Sequence, residues 1–234
     1  MTATTALAPP APRWWQLLYS PRAWRARMAA TKAGFEAEHL AWNYGAVAPH
    51  VAPGARVLDL GAWDCRLLAA LRDRLGARVV GADVVDKNAT DVELRLLADG
   101  RVPTAPDERF DVVLLLYVLH HAADDRAVLA EARRLLAPGG VIVVGEDRAD
   151  SWRARLRTKA FHVWLLIFTF MGWRGQFRTP AGWRTRFAEA GLAVREHRAL
   201  GATRWWFPEN ELYVLAKATP VRSTGQVSGA ADGA

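Results

Sequence analysis

Three aspartates, each closely tied to a short apolar run, have the type and spacing to bind a ligand. Asp59 lies within Arg56–Leu60 (RVLDL) and is followed by Gly61-Ala62-Trp63-Asp64-Cys65. Such a turn carries backbone N–H groups toward a helix N-terminus, where a carboxylate or phosphate can be held. Gly61 gives close approach, and the Asp59 carboxylate can accept from a ligand ammonium group. The competing reading is a plain strand-to-helix turn with Asp64 as N-cap. Asp83 ends the next run, Ala77–Asp83 (ARVVGAD). A carboxylate there can accept both hydroxyls of a ribose, and Asp86 is a weaker competitor for that role. Asp99-Gly100 follows Val92–Ala98. Its carboxylate can accept from an adenine amino group and the next N–H can serve a ring nitrogen, although an ordinary Asp-Gly turn explains the same pair.

Proton-transfer candidates lie further along. His120 and His121 follow Asp111–Val118 (DVVLLLYV), and either imidazole can act as general base near neutral pH. Glu146 and Asp147 follow Val141–Gly145; either can bind a substrate amine or act as a base, or form a salt bridge with Arg148 or Arg153. No metal site is expected, because His39, His50, His162 and His197 are scattered without ligand spacing. The single cysteine, Cys65, excludes an internal disulfide and a cysteine-based zinc cluster. It reads as a small buried residue.

These residues need a sheet to hold them together. Apolar runs alternate with helical patterns: Cys65–Leu75 places Leu67, Leu68, Leu71 and Leu75 on one face, and Asp124–Leu136 stops at Pro138-Gly139-Gly140. Pro180–Ala190 is a further helix, and Leu192–Arg198 and Glu211–Lys217 read as two last strands able to pair antiparallel. The uninterrupted apolar character of Asp111–Val118 fits a strand covered on both faces. This alternation predicts an α/β fold with a mostly parallel, doubly wound sheet, whose ligands sit beyond the carboxyl ends of the strands.

The ordered set VLDLG, Asp83, Asp99, Phe110-Asp111-Val-Val, Leu119-His120-His121 and Leu136-Ala137-Pro138-Gly139-Gly140 resembles the class I S-adenosylmethionine-dependent methyltransferases over roughly residues 50–147, and more loosely over 180–217. The resemblance implies a Rossmann-like seven-stranded sheet with the last strand antiparallel, and S-adenosyl-L-methionine as cofactor. It assigns Asp59 and Gly61 to the methionine end, Asp83 to the ribose, and Asp99 with Gly100 to the adenine, with Ala62 and Trp63 counted among the cofactor-binding residues. Tyr117 then lies near the methionine or the substrate. The family's loop reads Gly-x-Gly-x-Gly; here Trp63 and Cys65 replace two glycines, and both side chains resist positive φ. Either the loop keeps a permitted conformation with Trp63 over the cofactor, or Trp63 plugs the core, or affinity is impaired.

Two segments are added to this core: Trp14–Phe35, within an N-terminal helical extension (13–49), and Ser151–Arg178, a lid-like helical insertion after the fifth strand. Both join Trp to Arg with almost no acid; residues 148–186 alone carry a net charge of +8, within a total of +7. By resemblance they form the acceptor site. Phe161, Trp164, Leu165, Phe168, Phe170 and Trp173 then give it an apolar roof. The expected activity is methyl transfer to a hydrophobic or aromatic small molecule. Alternatives are a membrane-surface enzyme acting on a lipid or quinone and a non-catalytic scaffold. Val163–Met171 is too apolar for a phosphate-binding face, which disfavours nucleic acid. Residues 13–218 are expected to form a single domain between loose tails at 1–12 and 219–234. Neither a signal peptide nor a membrane span is evident, which fits a cytoplasmic protein with peripheral membrane contact as an option.

Overall fold

A computed structural model describes residues 21–169 and 176–219, with the backbone alone at 164–169 and at Pro21, Ala23, Trp24, Met28 and Thr31. The expected tails, apart from Thr219, lie outside the described residues, as do Phe170 and Trp173; the side chains of Trp164, Leu165 and Phe168 are likewise not described. The chain divides into two compact units, Met1–Gly45 and Ala46–Ala234. The first holds most of a long helix, α1 (Pro21–Val47). No described helix is long and apolar enough to cross a membrane.

The second unit is built on one seven-stranded sheet, ordered β3-β2-β1-β4-β5-β7-β6. Its strands are β1 (Arg56–Leu60), β2 (Arg78–Asp83), β3 (Leu94–Leu96), β4 (Phe110–Leu116), β5 (Leu136–Asp147), β6 (Leu192–Gly201) and β7 (Asn210–Lys217). Strands β1 to β5 pair in parallel, and β7 runs antiparallel to both β5 and β6. Among the described residues four helices connect them: α2 (Arg66–Leu75), α3 (Asp125–Leu135), α4 (Trp152–Thr169) and α5 (Pro180–Glu189).

Burial follows the sequence pattern. Leu67, Leu68 and Leu71 of α2 are buried, and β4 buries Val112 to Leu115 without a break. Trp183 and Phe187 of α5 close the other side against Tyr213 of β7. Helix α3 begins where Asp124 accepts from the N–H groups of Arg126 and Ala127, which satisfies two donors the helix itself leaves open.

Two strands differ most from their expected extent, while β6 runs three residues further, to Gly201, and β4 ends two residues earlier, at Leu116. The third, expected over Val92–Ala98, is only three residues long. Asn88 Nδ2 donates to Val92 O, and Val92 N–H donates to Thr90 Oγ1. At its other end Ala98 pairs with Arg101 across the Asp99-Gly100 turn. The fifth strand starts at Leu136, five residues before the expected Val141, and the irregularity between Phe110 and Val112 absorbs the Pro-Gly-Gly segment. Gly140 is needed there, since a Cβ would lie 2.7 Å from the Asp111 carbonyl oxygen.

Candidate functional site

The turn after β1 keeps a three-glycine backbone with one glycine. Gly61, Trp63 and Cys65 all have positive φ, at 98°, 47° and 59°. A Cβ on Gly61 would meet Val118 Cγ2 at 2.3 Å, so this position admits nothing larger. Trp63 and Cys65 stay left-handed against a cost of about 1 kcal/mol or more each, because the loop is tied on both sides. Trp63 N–H donates to Asp83 Oδ2 at 2.9 Å, and Cys65 N–H donates to the Ala62 carbonyl at 2.9 Å. Trp63 is 47% exposed, which rules out the core-plug reading, whereas Cys65 is buried and its thiol is pushed up to about 12, chiefly by burial. Cys65, not Asp64, occupies the N-cap position of α2 and makes no side-chain cap bond.

The expected cradle of outward N–H groups is not formed at Gly61, Ala62 or Trp63. Gly61 and Ala62 both donate to the Ala82 carbonyl, and Trp63 donates to Asp83. The polar group left for a ligand is instead Asp59. It is 5% exposed, and its Oδ1 has no hydrogen-bond partner. Burial first, then the Asp83 and Asp64 carboxylates, push its pKa up to about 7. An unpartnered buried carboxylate oxygen is costly, and a cationic ligand group would relieve it.

Asp83 stands at the end of β2 beside this turn. Its Oδ1 accepts from Val84 N–H at 2.7 Å and Val85 N–H at 3.3 Å, and its Oδ2 from Trp63, so it organises the loop. Val84, Val85 and Leu96, at or just beyond the ends of β2 and β3, are exposed, as Trp63 is. Asp99 (φ 51°) and Gly100 (φ 74°) form the exposed tip of a two-residue turn closed by two Ala98–Arg101 hydrogen bonds of 2.9 Å. Tyr117 (φ 59°) follows β4, and its N–H donates to the Gly145 carbonyl at 2.8 Å.

Beyond β4 and β5 lies a histidine cluster. His120 and Glu146 are each 1% exposed, and His120 Nδ1 is 2.6 Å from Glu146 Oε2. The other oxygen, Oε1, accepts from Leu119 N–H at 3.0 Å. Glu146 therefore pairs with His120 rather than with Arg148, which is taken by Asp150, Glu209 and Glu211. Burial alone would lower the His120 pKa, but the Glu146 carboxylate outweighs it and the net shift is upward. Half-buried His121 is pulled down to about 3 by burial and by His120 and His162. His162 of α4 closes the cluster: its Nε2 is 3.4 Å from His120 Nε2 and its Nδ1 is 2.8 Å from the Thr158 carbonyl oxygen. Asp147, raised to about 7 by burial, accepts from Asn210 Nδ2 at 2.9 Å and lies 3.9 Å from His162 Nε2. Phe161 of α4 packs against Phe207 and Trp206 of the β6–β7 loop, with ring centroids 5.0 and 6.1 Å apart.

Comparison with known proteins fixes the family. The model of the methyltransferase domain matches residues 43–197, about two thirds of the chain. The chain belongs to the methyltransferase-domain family. It is 43% identical over 143 residues to a ubiquinone biosynthesis O-methyltransferase of Cereibacter sphaeroides, covering 52% of this chain and 58% of that protein. It is 34% identical over 192 residues to the protein of the same name from Dinoroseobacter shibae, covering 74% and 76%. The chain thus spans little more than half the length of several curated relatives it matches. The fold also matches the CcbJ methyltransferase of Streptomyces caelestis, with a TM-score of 0.55, 19% identity, and coverage of 78% of this chain and 90% of that one.

The cofactor of this methyltransferase family is S-adenosyl-L-methionine, and the residues present fit it: Asp59 Oδ1 awaits a cationic partner and Asp83 lies next to it. The structure thus gathers Asp59, Gly61, Ala62, Trp63 and Asp83 at one turn, and brings His120 and His121, past β4, beside Glu146 near the end of β5. Asp147, the other carboxylate expected beside Glu146, joins the second group, and so does His162, which was not expected there. Asp147 is sequence-adjacent to Glu146, but His162 carried no signal, because it lies 41 residues beyond His121 in an apolar helix.

Proposed function

We propose that this methyltransferase-domain protein methylates a hydroxyl oxygen of a hydrophobic aromatic small molecule, with S-adenosyl-L-methionine as donor. The observation that carries the reading is the buried, unpartnered Asp59 Oδ1 beside Asp83 at the carboxyl edge of β1 and β2. The oxygen acceptor follows the names of the two relatives. The apolar character of the acceptor follows Phe161, Trp206 and Phe207, which cluster near the histidines.

Bound S-adenosyl-L-methionine supplies a methyl group already activated for attack. This chain then has to bind, align and exclude water. Asp59 receives the ligand ammonium. Asp83 keeps one lone pair, on Oδ2, that would accept a ribose hydroxyl, while its bonds to Trp63, Val84 and Val85 hold the loop still. The exposed apolar faces of Trp63, Val84 and Leu96 cover the flat part of the ligand. On the acceptor side, His121 is neutral at physiological pH and accepts a hydrogen bond from the substrate hydroxyl. As the oxygen takes the methyl group its proton passes to His121 and leaves to water on that ring's open side, while Glu146 holds the neighbouring His120 ring in place through its 2.6 Å contact with Nδ1.

The test is methyl transfer to a panel of hydrophobic catechols and hydroquinones, followed by mass spectrometry. The expected result is a mono-O-methylated product, with kcat lowered roughly 10²–10⁴-fold in His121→Ala and partly recovered at high pH. Absence of transfer to every phenolic hydroxyl by cofactor-binding protein would refute the acceptor class.

A membrane-surface variant of this reading has its own support. Trp152 and Leu156 on α4 and Trp205 in the β6–β7 loop are 70%, 61% and 88% exposed, with Arg153, Arg155 and Lys159 exposed nearby. Aromatic side chains flanked by cations suit an anionic bilayer surface. Co-sedimentation with phosphatidylglycerol vesicles, abolished by Trp152→Ala with Trp205→Ala, distinguishes it from an enzyme that meets its substrate in solution.

A further inference from the structure

The histidine cluster sets two ring nitrogens face to face. A carbonyl oxygen only accepts, so the 2.8 Å contact with Thr158 O puts the hydrogen of His162 on Nδ1 and leaves a lone pair on Nε2. His120 Nδ1 is likewise held as a donor by Glu146 Oε2 at 2.6 Å. The two Nε2 atoms then meet at 3.4 Å. That is long for an N–H···N hydrogen bond. It matches two nitrogens on a tetrahedral zinc-type ion, where bonds of about 2.0–2.1 Å set them roughly 3.3–3.4 Å apart. His121 adds a third ring, and one nitrogen from each of the three lies within 4.8 Å of the others.

The surroundings repeat the pattern. A metal-binding histidine is usually oriented through its second nitrogen by a carboxylate or a backbone carbonyl; His120 has the first and His162 the second. The Asp147 carboxyl group lies 3.9 Å from His162 Nε2. Phe177 walls the cluster, with its ring centroid 5.1 Å from His120 and 4.7 Å from His162. His121 is half-buried, which leaves one side open.

We propose that His120, His121 and His162 bind one divalent transition-metal ion of the zinc type, with a fourth position open to water or to an acceptor oxygen. An all-imidazole set suits zinc, copper or nickel over magnesium or calcium. With the ion bound, the ring lone pairs would be committed to it, and the cation would replace His121 in making an acceptor hydroxyl acidic. Binding of the ion involves neither Asp59 nor Asp83, so its failure is distinguishable from failure of cofactor binding, while His121 is shared with the proton-accepting role proposed above.

The experiment uses tag-free full-length protein stripped with chelator and titrated with Co²⁺, then with Zn²⁺. The expected result is one ion per chain and visible absorption typical of four- or five-coordinate cobalt. Zinc should displace the signal and excess Mg²⁺ should not. Half-exposed His121→Ala should weaken binding at least tenfold without loss of fold by circular dichroism. Glu146→Gln should weaken it about 10- to 100-fold, and Cys65→Ser should leave it unchanged. Absence of a stoichiometric ion in the wild type, or binding equally strong in His121→Ala and Glu146→Gln, would overturn the proposal.

Discussion

At the scale of single residues, Asp59 ties stability, pH and ligand together. Its pKa of about 7 in the folded protein lies above the ordinary 3.8, because burial and the neighbouring carboxylates penalise its charged form. Asp59 therefore contributes stability that is fully present below pH 3.8 and is lost as the pH rises through about 7. In the proposed site a ligand ammonium would reverse the preference by stabilising the carboxylate. Binding of S-adenosyl-L-methionine should release a proton below pH 7 and tighten by up to about tenfold per pH unit toward 7, then level off. Calorimetry in two buffers of different ionisation enthalpy checks this, and Asp59→Asn should bind more weakly with no pH dependence. A wild-type profile flat between pH 5 and 8 would count against the role of Asp59.

The same turn gives an opposed pair of substitutions. Gly61→Ala combines a φ of 98° with a Cβ 2.3 Å from Val118, and should cost about 2–5 kcal/mol in denaturant unfolding. Trp63→Gly removes a left-handed tryptophan that is half exposed, and should be neutral or stabilising by about 1 kcal/mol. The sequence announced the tension at Trp63 and Cys65 without its resolution. That depends on the bond from Trp63 N–H to Asp83, a contact between residues 20 apart in the chain.

Among elements, α3 gives a separate check. Asp124→Ala removes both cap bonds and should cost about 1 kcal/mol, visible as a lower thermal midpoint with no effect on ligand affinity. Helices with a clear apolar face, such as α2 with Leu67, Leu68 and Leu71, were legible from periodicity. Strand ends were less so. Val92–Ala98 looks extended throughout, yet side chains of Asn88 and Thr90 bond the backbone of Val92, and only Leu94–Leu96 joins the ladder. Pro138-Gly139-Gly140 reads as a stop, but β5 already pairs Leu136 with Phe110. Helix α4 hid its contribution most fully, since the role of His162 comes from which neighbours the fold gives it and no local pattern marks it.

For the molecule as a whole, the order of strands and the antiparallel β7 follow the family pattern, and with them the placement of Asp59 and Asp83 at one sheet edge. The charge distribution remains a separate signal: the basic stretch 148–186 contains α4, with Trp152 and Leu156 exposed beside its cations. If that surface meets anionic lipid, vesicle binding should weaken as salt rises, because exposed charges are screened within about 8–10 Å at physiological ionic strength.

The proposed function requires that the turn after β1 form a cofactor site with Trp63 and Cys65 in place. Its most direct test is calorimetric titration of the folded protein with S-adenosyl-L-methionine and S-adenosylhomocysteine, beside Asp83→Ala. Saturable one-site binding of both ligands is expected, weakened about ten- to a hundredfold in the variant, equivalent to roughly 1.4–2.7 kcal/mol. No saturable binding of either ligand by well-folded wild-type protein would contradict the account.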